Sequence, residues 1–179
     1  MNIEKLKDDK YLFFLETPHN LVCVFDHIRY DRSDADLLSQ AQRKYLLNKL
    51  VEYGYYHKTG RVLISESHKT KFIFPKQNIL GASISDFIKH EKREDQDLFV
   101  LTPTQMAIYI INTIKNDTLE ILKNLISKHP INLKKIYDHS HNESSKDFIN
   151  QHFKELERYQ DDIIKNTSVG NNSHIGRIF

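Results

Sequence analysis

Residues 33–75, SDADLLSQAQRKYLLNKLVEYGYYHKTGRVLISESHKTKFIFP, join one long amphipathic segment to three short apolar runs. Ser33 followed by Asp36 is a helix-capping pattern, and apolar residues then recur at helical spacing as far as Gly54. A glycine at this place suits the left-handed residue that ends many helices. These signals predict one continuous helix over residues 34–53.

Three strands are predicted after this helix. β-branched and aromatic residues cluster at 55–56, 61–65 and 71–74, and polar turn residues separate the clusters before Pro75 closes the unit. A helix followed by a basic hairpin resembles the recognition helix and wing of a winged-helix module. The resemblance implies an N-terminal binding unit in which helices accompany a small antiparallel hairpin sheet.

The sequence pattern of the second half of the chain predicts helices. Thr102, Pro103 and Gln105 form a capping box with proline at the first helical position, which predicts a helix over 103–115. A second helix follows from about residue 118 and ends before Pro130, and a long amphipathic helix is expected over 144–166. Residues 18–28 fit either one helical face or a buried strand.

The predicted fold class is therefore α+β and mainly α. It has a winged-helix-like N-terminal half, a C-terminal helical hairpin and a further long helix. The corresponding units are 1–76 for the winged-helix-like part, 77–100 for a connector, 101–166 for the helical region and 167–179 for a loosely ordered tail. One compact domain over the whole chain is the alternative.

Composition limits the classes of function. The chain has 26 basic and 24 acidic residues, so its net charge alone does not indicate a nucleic-acid-binding protein. Cys23 is its single cysteine, which excludes an intrachain disulfide and a cysteine-based zinc site within one chain. A reducing cytoplasmic location is the simplest expectation, and no apolar run is long enough for a membrane span.

The best local cluster of basic residues lies on the predicted helix and hairpin. Lysines and arginines on such a surface contact phosphates, whereas Gln or Asn side chains probe a groove. A structural wing or a protein-docking surface is the alternative. The candidate nucleic-acid-binding residues are Gln42, Arg43, Lys44, Asn48, Lys49, Lys58, Arg61, Lys69 and Lys71.

A second candidate surface is the apolar stripe of the last helix. Its members recur at helical spacing and exceed what one small core needs, so the stripe is a candidate partner-binding element. The residues are Phe148, Leu156, Tyr159 and Ile163.

Two groups of residues carry metal-ligand or acid/base chemistry. Asp26, His27 and Asp31 lie within one acid-rich stretch, and His139 to Glu143 form a polar loop. Ion pairing and helix capping explain the first group equally well, and the loop lacks a third ligand. We therefore assign no catalytic residue, no metal and no cofactor, and no glycine-rich phosphate loop occurs.

The function expected from the sequence is that of a non-catalytic binding protein, either an accessory subunit or an adaptor of a larger assembly. Contact with DNA or RNA through the basic helix and hairpin is included in that expectation. The alternatives are a small metal-dependent hydrolase or nuclease, and an inhibitor or immunity-type protein-binding partner. The sequence leaves the partner's identity and the oligomeric state open.

Overall fold

The computed structural model describes residues 4–16, 19–25, 38–67, 69–74, 84, 88, 96–114, 116–140 and 142–168. Within these residues the chain forms six helices and six strands. The helices are α1 (Glu4–Lys7), α2 (Gln40–Glu52), α3 (Pro103–Thr113), α4 (Thr118–Lys128), α5 (Leu133–Asp138) and α6 (Glu143–Ser168). The strands are β1 (Leu12–Glu16), β2 (Asn20–Val24), β3 (Tyr56–Thr59), β4 (Val62–Ser65), β5 (Thr70–Ile73) and β6 (Leu98–Leu101).

All six strands belong to one mixed sheet with the order β1-β2-β6-β5-β4-β3. Strands β1 and β2 form an antiparallel hairpin, and β3, β4 and β5 form an antiparallel meander. Strand β6 lies between these two units and pairs in parallel with β2 and with β5. Residues distant in sequence therefore complete the middle of the sheet.

Helices cover both faces of the sheet. One core cluster joins alternate strand residues such as Val22 and Phe72 to Leu46 and Leu50 of α2 and to Leu6 of α1. The other cluster joins the opposite strand residues to helices α3, α4, α5 and α6. Because successive side chains of a strand point to opposite faces, the apolar runs of β2 and β6 supply both cores. The architecture is three layers, α/β/α.

The helical predictions for the second half are confirmed. Helix α3 begins at Pro103, and the Thr102 side chain accepts a hydrogen bond from the Gln105 N–H while Gln105 caps the Thr102 N–H in return. Helix α4 ends at Lys128, just before Pro130, and α6 covers the predicted 144–166. Asp117 is the N-terminal cap residue of α4, but its side chain makes no capping bond because its backbone is left-handed.

The predicted start of the first long helix is wrong. Ser39 is extended, and its side chain caps the Gln42 N–H, so helix α2 begins at Gln40. Ser39 and Gln42 form a complete capping box that overrides the apolar stripe running through Leu38. Ser33 and Asp36 lie outside the described residues. The predicted end is confirmed, because Gly54 is left-handed with φ +79°.

The predicted fold class is also wrong. The three strands after α2 do not form a separate hairpin sheet beside a helical half, because β5 pairs with β6 and β6 pairs with β2. The segment that fitted either a helix or a strand is strand β2, and Leu98–Leu101 adds a fully buried central strand. The result is one mixed sheet between helices, which differs from a winged helix. The division into four units stays a prediction.

Candidate functional site

Strand β1 is one edge of the sheet, and among the described residues it pairs only with β2. Phe25 donates its N–H to the Tyr11 carbonyl at 2.8 Å, which fixes the alternation of the antiparallel ladder. Phe13 and Leu15 therefore direct their backbone groups towards β2, whereas Leu12, Phe14 and Glu16 direct theirs away from it. The Leu12 N–H is taken by the Asp9 carbonyl at 3.1 Å, so within the part of the chain that the structure describes the outward groups of Phe14 and Glu16 are the ones available to a further strand.

This outer edge lies in a cavity of about 330 Å³. Strand β1 forms its floor, α1 contributes one wall, and α4 contributes the other. The lining residues are Lys7, Leu12, Phe13, Phe14, Glu16, Asn124 and Lys128. We call this cavity the edge groove.

A second cavity of about 220 Å³ adjoins the edge groove, because Lys7, Phe14 and Glu16 line both. It reaches beneath the amino ends of the central strands, and its walls are mainly apolar. Its other lining residues are Leu15, Asn20, Leu21, Thr70, Gln96 and Leu98. We call it the side pocket.

The two walls of the edge groove differ in charge. On the α1 side, the Lys7 ammonium is hydrogen-bonded to the Glu16 carboxylate, so these charges neutralise each other. On the α4 side, Asn124 and Lys128 are exposed, and they lie four residues apart on one helix face. Lys128 has no acidic partner among the residues that the structure describes. The α4 wall is therefore positive and rich in donors.

Asp9 fixes the α1 wall to the rest of the fold. Its carboxylate accepts the Tyr11 N–H at 2.9 Å and the Tyr45 hydroxyl at 2.5 Å, so it links the chain before β1 to helix α2. The Tyr11 and Tyr45 rings also meet edge to face, with centroids 5.1 Å apart. Burial and the bond to Asp9 raise the pKa of Tyr45 well above its ordinary value.

The opposite edge strand of the sheet, β3, differs from β1 in exposure, charge and regularity. All four of its residues are exposed, Lys58 lies within it, and the register shifts between His57 and Thr59. An exposed lysine and a bulge are the usual features that keep an edge strand from pairing. Within the described chain, β1 lacks both features and is apolar over four of its five residues.

The residues predicted for nucleic acid are divided by the structure. Gln42 does not face solvent, because it is 3% exposed and its side-chain amide donates to the Val24 carbonyl at 2.8 Å. Arg43 stacks over the Phe74 ring, with its guanidinium carbon 5.5 Å from the ring centroid. Lys44 and Asn48 are exposed on the outer side of α2.

The remaining residues of that set lie apart from one another. Lys58 precedes the β3–β4 turn and Lys69 lies in the β4–β5 turn, so strand β4 separates them. The Arg61 Nε donates to the Phe74 carbonyl at 3.0 Å, and Lys71 is bound to the buried Asp97 carboxylate at 3.1 Å. Lys49 lies 3.8 Å from Glu52. The set does not form one face, and its role in nucleic-acid binding stays a prediction.

The predicted partner-binding stripe of α6 faces the interior. Leu156 is 1% exposed, and Phe148 and Tyr159 pack against the main core cluster. Ile163 is partly buried near the end of the helix. The stripe contributes to the core of the chain, and its role in binding a partner stays a prediction.

The residues with metal-ligand chemistry are not brought together where the structure describes them. Asp26, His27, Asp31 and His141 lie outside the described residues. Within residues 4–168, apart from the gaps stated above, no three His, Cys, Asp or Glu side chains could hold a metal ion. His152 contacts Glu155, whose pKa is lowered mainly by its bond to Lys123 and next by this histidine.

The edge groove could not be predicted from the sequence. The sequence contains the apolar run 11–15 with Lys7 and Glu16 on either side, but no local pattern tells which strand becomes an edge.

Among the described helices, none is both long and apolar enough to cross a membrane. A search of known family models, of curated proteins and of solved structures finds no match to the chain.

Proposed function

We propose that this chain is a non-catalytic binding protein that holds an extended segment of a partner protein against strand β1. The observation that supports it is the outward backbone of Phe14 and Glu16, which lies at the floor of the edge groove. An added strand pairs its main chain with such an edge and gains specificity from alternate side-chain pockets. The proposal keeps the binding role expected from the sequence and assigns it to a different surface.

The energetics favour strand addition over a loose contact. Each main-chain hydrogen bond contributes about 0.5–1.5 kcal/mol net, so a few bonds along a five-residue strand provide affinity without sequence specificity. Leu12, Phe13 and Leu15 are buried because helices cover both faces. A partner strand therefore extends a rigid, already packed sheet and orders little of this chain.

In the cell, this activity fits an accessory subunit or adaptor of a larger assembly, or an inhibitor or immunity-type protein. We propose a cytoplasmic location, which the single, buried Cys23 supports because thiols stay reduced there. Both the assembly and the compartment are parts of the proposal.

The test begins with a display library of random twelve-residue peptides selected on the immobilised protein. Hydrogen exchange of individual amides then identifies the binding mode. We expect the selected peptides to slow exchange at Phe14 and Glu16, whose N–H groups point outward. The Phe13 and Leu15 amides are the internal control, because they already bond to β2. Failure to select any peptide that protects Phe14 and Glu16 would refute the proposal.

A pair of variants separates main-chain from side-chain binding. Proline is tolerated in an edge strand where its missing N–H would face outward, so Phe14→Pro removes one donor to the partner and retains the bonds to β2. Phe14→Ala removes the same side chain and retains the donor. We expect weaker peptide binding in Phe14→Pro than in Phe14→Ala, with melting curves to confirm that both fold.

Nucleic acid is the second candidate ligand. Arg43 and Arg61 both contact Phe74, one through its ring and one through its carbonyl, which brings two guanidinium groups to one place. A titration of labelled DNA and RNA at several salt concentrations tests this candidate, because phosphate contacts weaken steeply with salt. Arg43→Glu would abolish such binding, and absent or salt-independent binding would exclude it.

A further inference from the structure

We propose that the edge groove selects a partner segment in which an apolar residue is directly followed by an acidic residue. This inference rests on the proposed function, because it names the chemistry of the strand that β1 would accept. It follows from the two unlike walls of the groove and from the side pocket on one of its sides.

The register of an added strand is fixed by β1. Phe14 directs its N–H and C=O outward, so a partner residue opposite Phe14 would form a hydrogen-bonded pair with it. Residues directly opposite each other share one face of the sheet. The residue opposite Phe14 therefore lies on the face of α1, and the residue opposite Phe13 lies on the face of α4.

The α1 side accepts an apolar side chain. Phe14 is partly buried and lines both the edge groove and the side pocket. The side pocket measures about 220 Å³, whereas an apolar cavity of about 150 Å³ already admits benzene. Its mainly apolar walls, with Phe14 and Leu98 on the α1 side of the sheet, match a leucine or an aromatic residue. Lys7 and Glu16 at its rim are satisfied by each other.

The α4 side accepts a carboxylate. Lys128 and Asn124 line the groove together with Phe13, and both are exposed. An ammonium and a side-chain amide can together donate to both oxygens of a carboxylate. A lysine on the partner would instead meet Lys128 without a neutralising acid on that wall among the described residues. A second copy of this chain is disfavoured for a related reason, since it would bring one Lys128 wall towards another.

The order of the two residues follows from strand direction. Antiparallel pairing is the more stable arrangement, and in it the partner residue opposite Phe13 comes after the residue opposite Phe14. The segment therefore reads apolar and then acidic, and the alternation repeats every two residues.

The test compares three end-blocked, fluorescent eight-residue peptides by anisotropy titration. One alternates leucine and glutamate, one alternates leucine and lysine, and one alternates serine and glutamate. We expect the leucine–glutamate peptide to bind roughly tenfold more tightly than either of the others, since each change removes one of the two contacts. Slowed exchange at the Phe14 and Glu16 amides confirms that binding occurs at β1.

A charge reversal in the protein provides the matched control. Lys128→Glu should reverse the preference between the glutamate and lysine peptides. Lys134→Glu changes an exposed lysine of α5 that does not line the groove, so it should leave the preference unchanged. The two variants carry the same net charge and differ only in position.

The outcomes separate this inference from the proposed function. If all three peptides protect Phe14 and Glu16 equally, or if only library peptides of another composition do so, the inference is overturned and strand addition stands. If no peptide from any source protects these amides, both fail. A peptide-free dimer that protects them would make a second copy the occupant and would overturn the inference.

Discussion

Gln42→Ala is expected to destabilise the fold and to leave nucleic-acid affinity unchanged. Gln42 makes two bonds that join helix α2 to its cap and to the sheet. Its Oε1 accepts the Ser39 N–H at 2.7 Å, and its Nε2 donates to the Val24 carbonyl at 2.8 Å. Alanine removes both bonds and retains the helix.

The magnitude follows from what the substitution leaves behind. Val24 is fully buried, so its carbonyl would lose its side-chain donor in a dry environment, at a cost of about 1–3 kcal/mol. The Ser39 N–H is only partly buried and regains water, so its loss resembles that of a capping interaction, about 1 kcal/mol. We expect the free energy of unfolding to fall by about 2–4 kcal/mol, which lowers the melting temperature by roughly 4–16 °C.

Urea unfolding followed by tyrosine fluorescence and circular dichroism measures this change, since the chain has nine tyrosines and no tryptophan. Asn48→Ala is the matched control, because Asn48 is an exposed amide on the same helix and its replacement should change stability by at most about 0.5 kcal/mol. Equal stabilities of the two variants would refute the structural role of Gln42. Loss of DNA binding in a fully stable Gln42→Ala protein would restore the role predicted from sequence.

Gly54→Ala should lower the free energy of unfolding by about 1 kcal/mol in urea, since Gly54 is left-handed. Gly60→Ala should leave this free energy unchanged or raise it, and equal effects of the two substitutions would contradict the prediction. Cys23 should react with a thiol reagent only on unfolding, because burial raises its thiol pKa, and rapid labelling of the native protein would argue against that placement. The pKa of Tyr45 is raised by burial and Asp9, so the folded state retains a proton that the unfolded chain loses above about pH 10. The free energy of unfolding should therefore fall as pH rises above 10, and it should fall less steeply in Tyr45→Phe. Identical slopes against pH in the two proteins would exclude this linkage between Tyr45 protonation and stability.

Local signals in the sequence were sufficient for the second half of the chain. Thr102 and Gln105 act on neighbouring amides, so their capping box can be identified without knowing the fold, and helix α3 begins where it indicates. The start of α2 shows the limit of such signals. Two capping patterns, at Ser33 and Ser39, precede the same apolar stripe, and in the structure helix α2 begins after Ser39.

The sheet could not be predicted in the same way, because its pairing is not local. Leu98–Leu101 is four residues long, and its position between β2 and β5 depends on partners more than twenty residues away. The edge groove also depends on this non-local pairing. Phe14 and Lys128 line one cavity only because β1 becomes an edge and α4 packs beside it. The position of Gln42 depends on the same non-local pairing, because its side chain is buried by the sheet beneath helix α2.

The late position of β6 in the sequence imposes an order on folding. As the chain is synthesised, the β1–β2 hairpin and the β3–β5 meander are complete before residue 98 exists, yet they share no ladder with each other. Strands β2 and β5 therefore each carry an exposed edge until β6 is inserted between them. Parallel pairing of distant strands is slow to form, and unpaired edges attract other chains. A nascent or truncated chain ending before Leu98 is the form of this protein that most needs protection from aggregation.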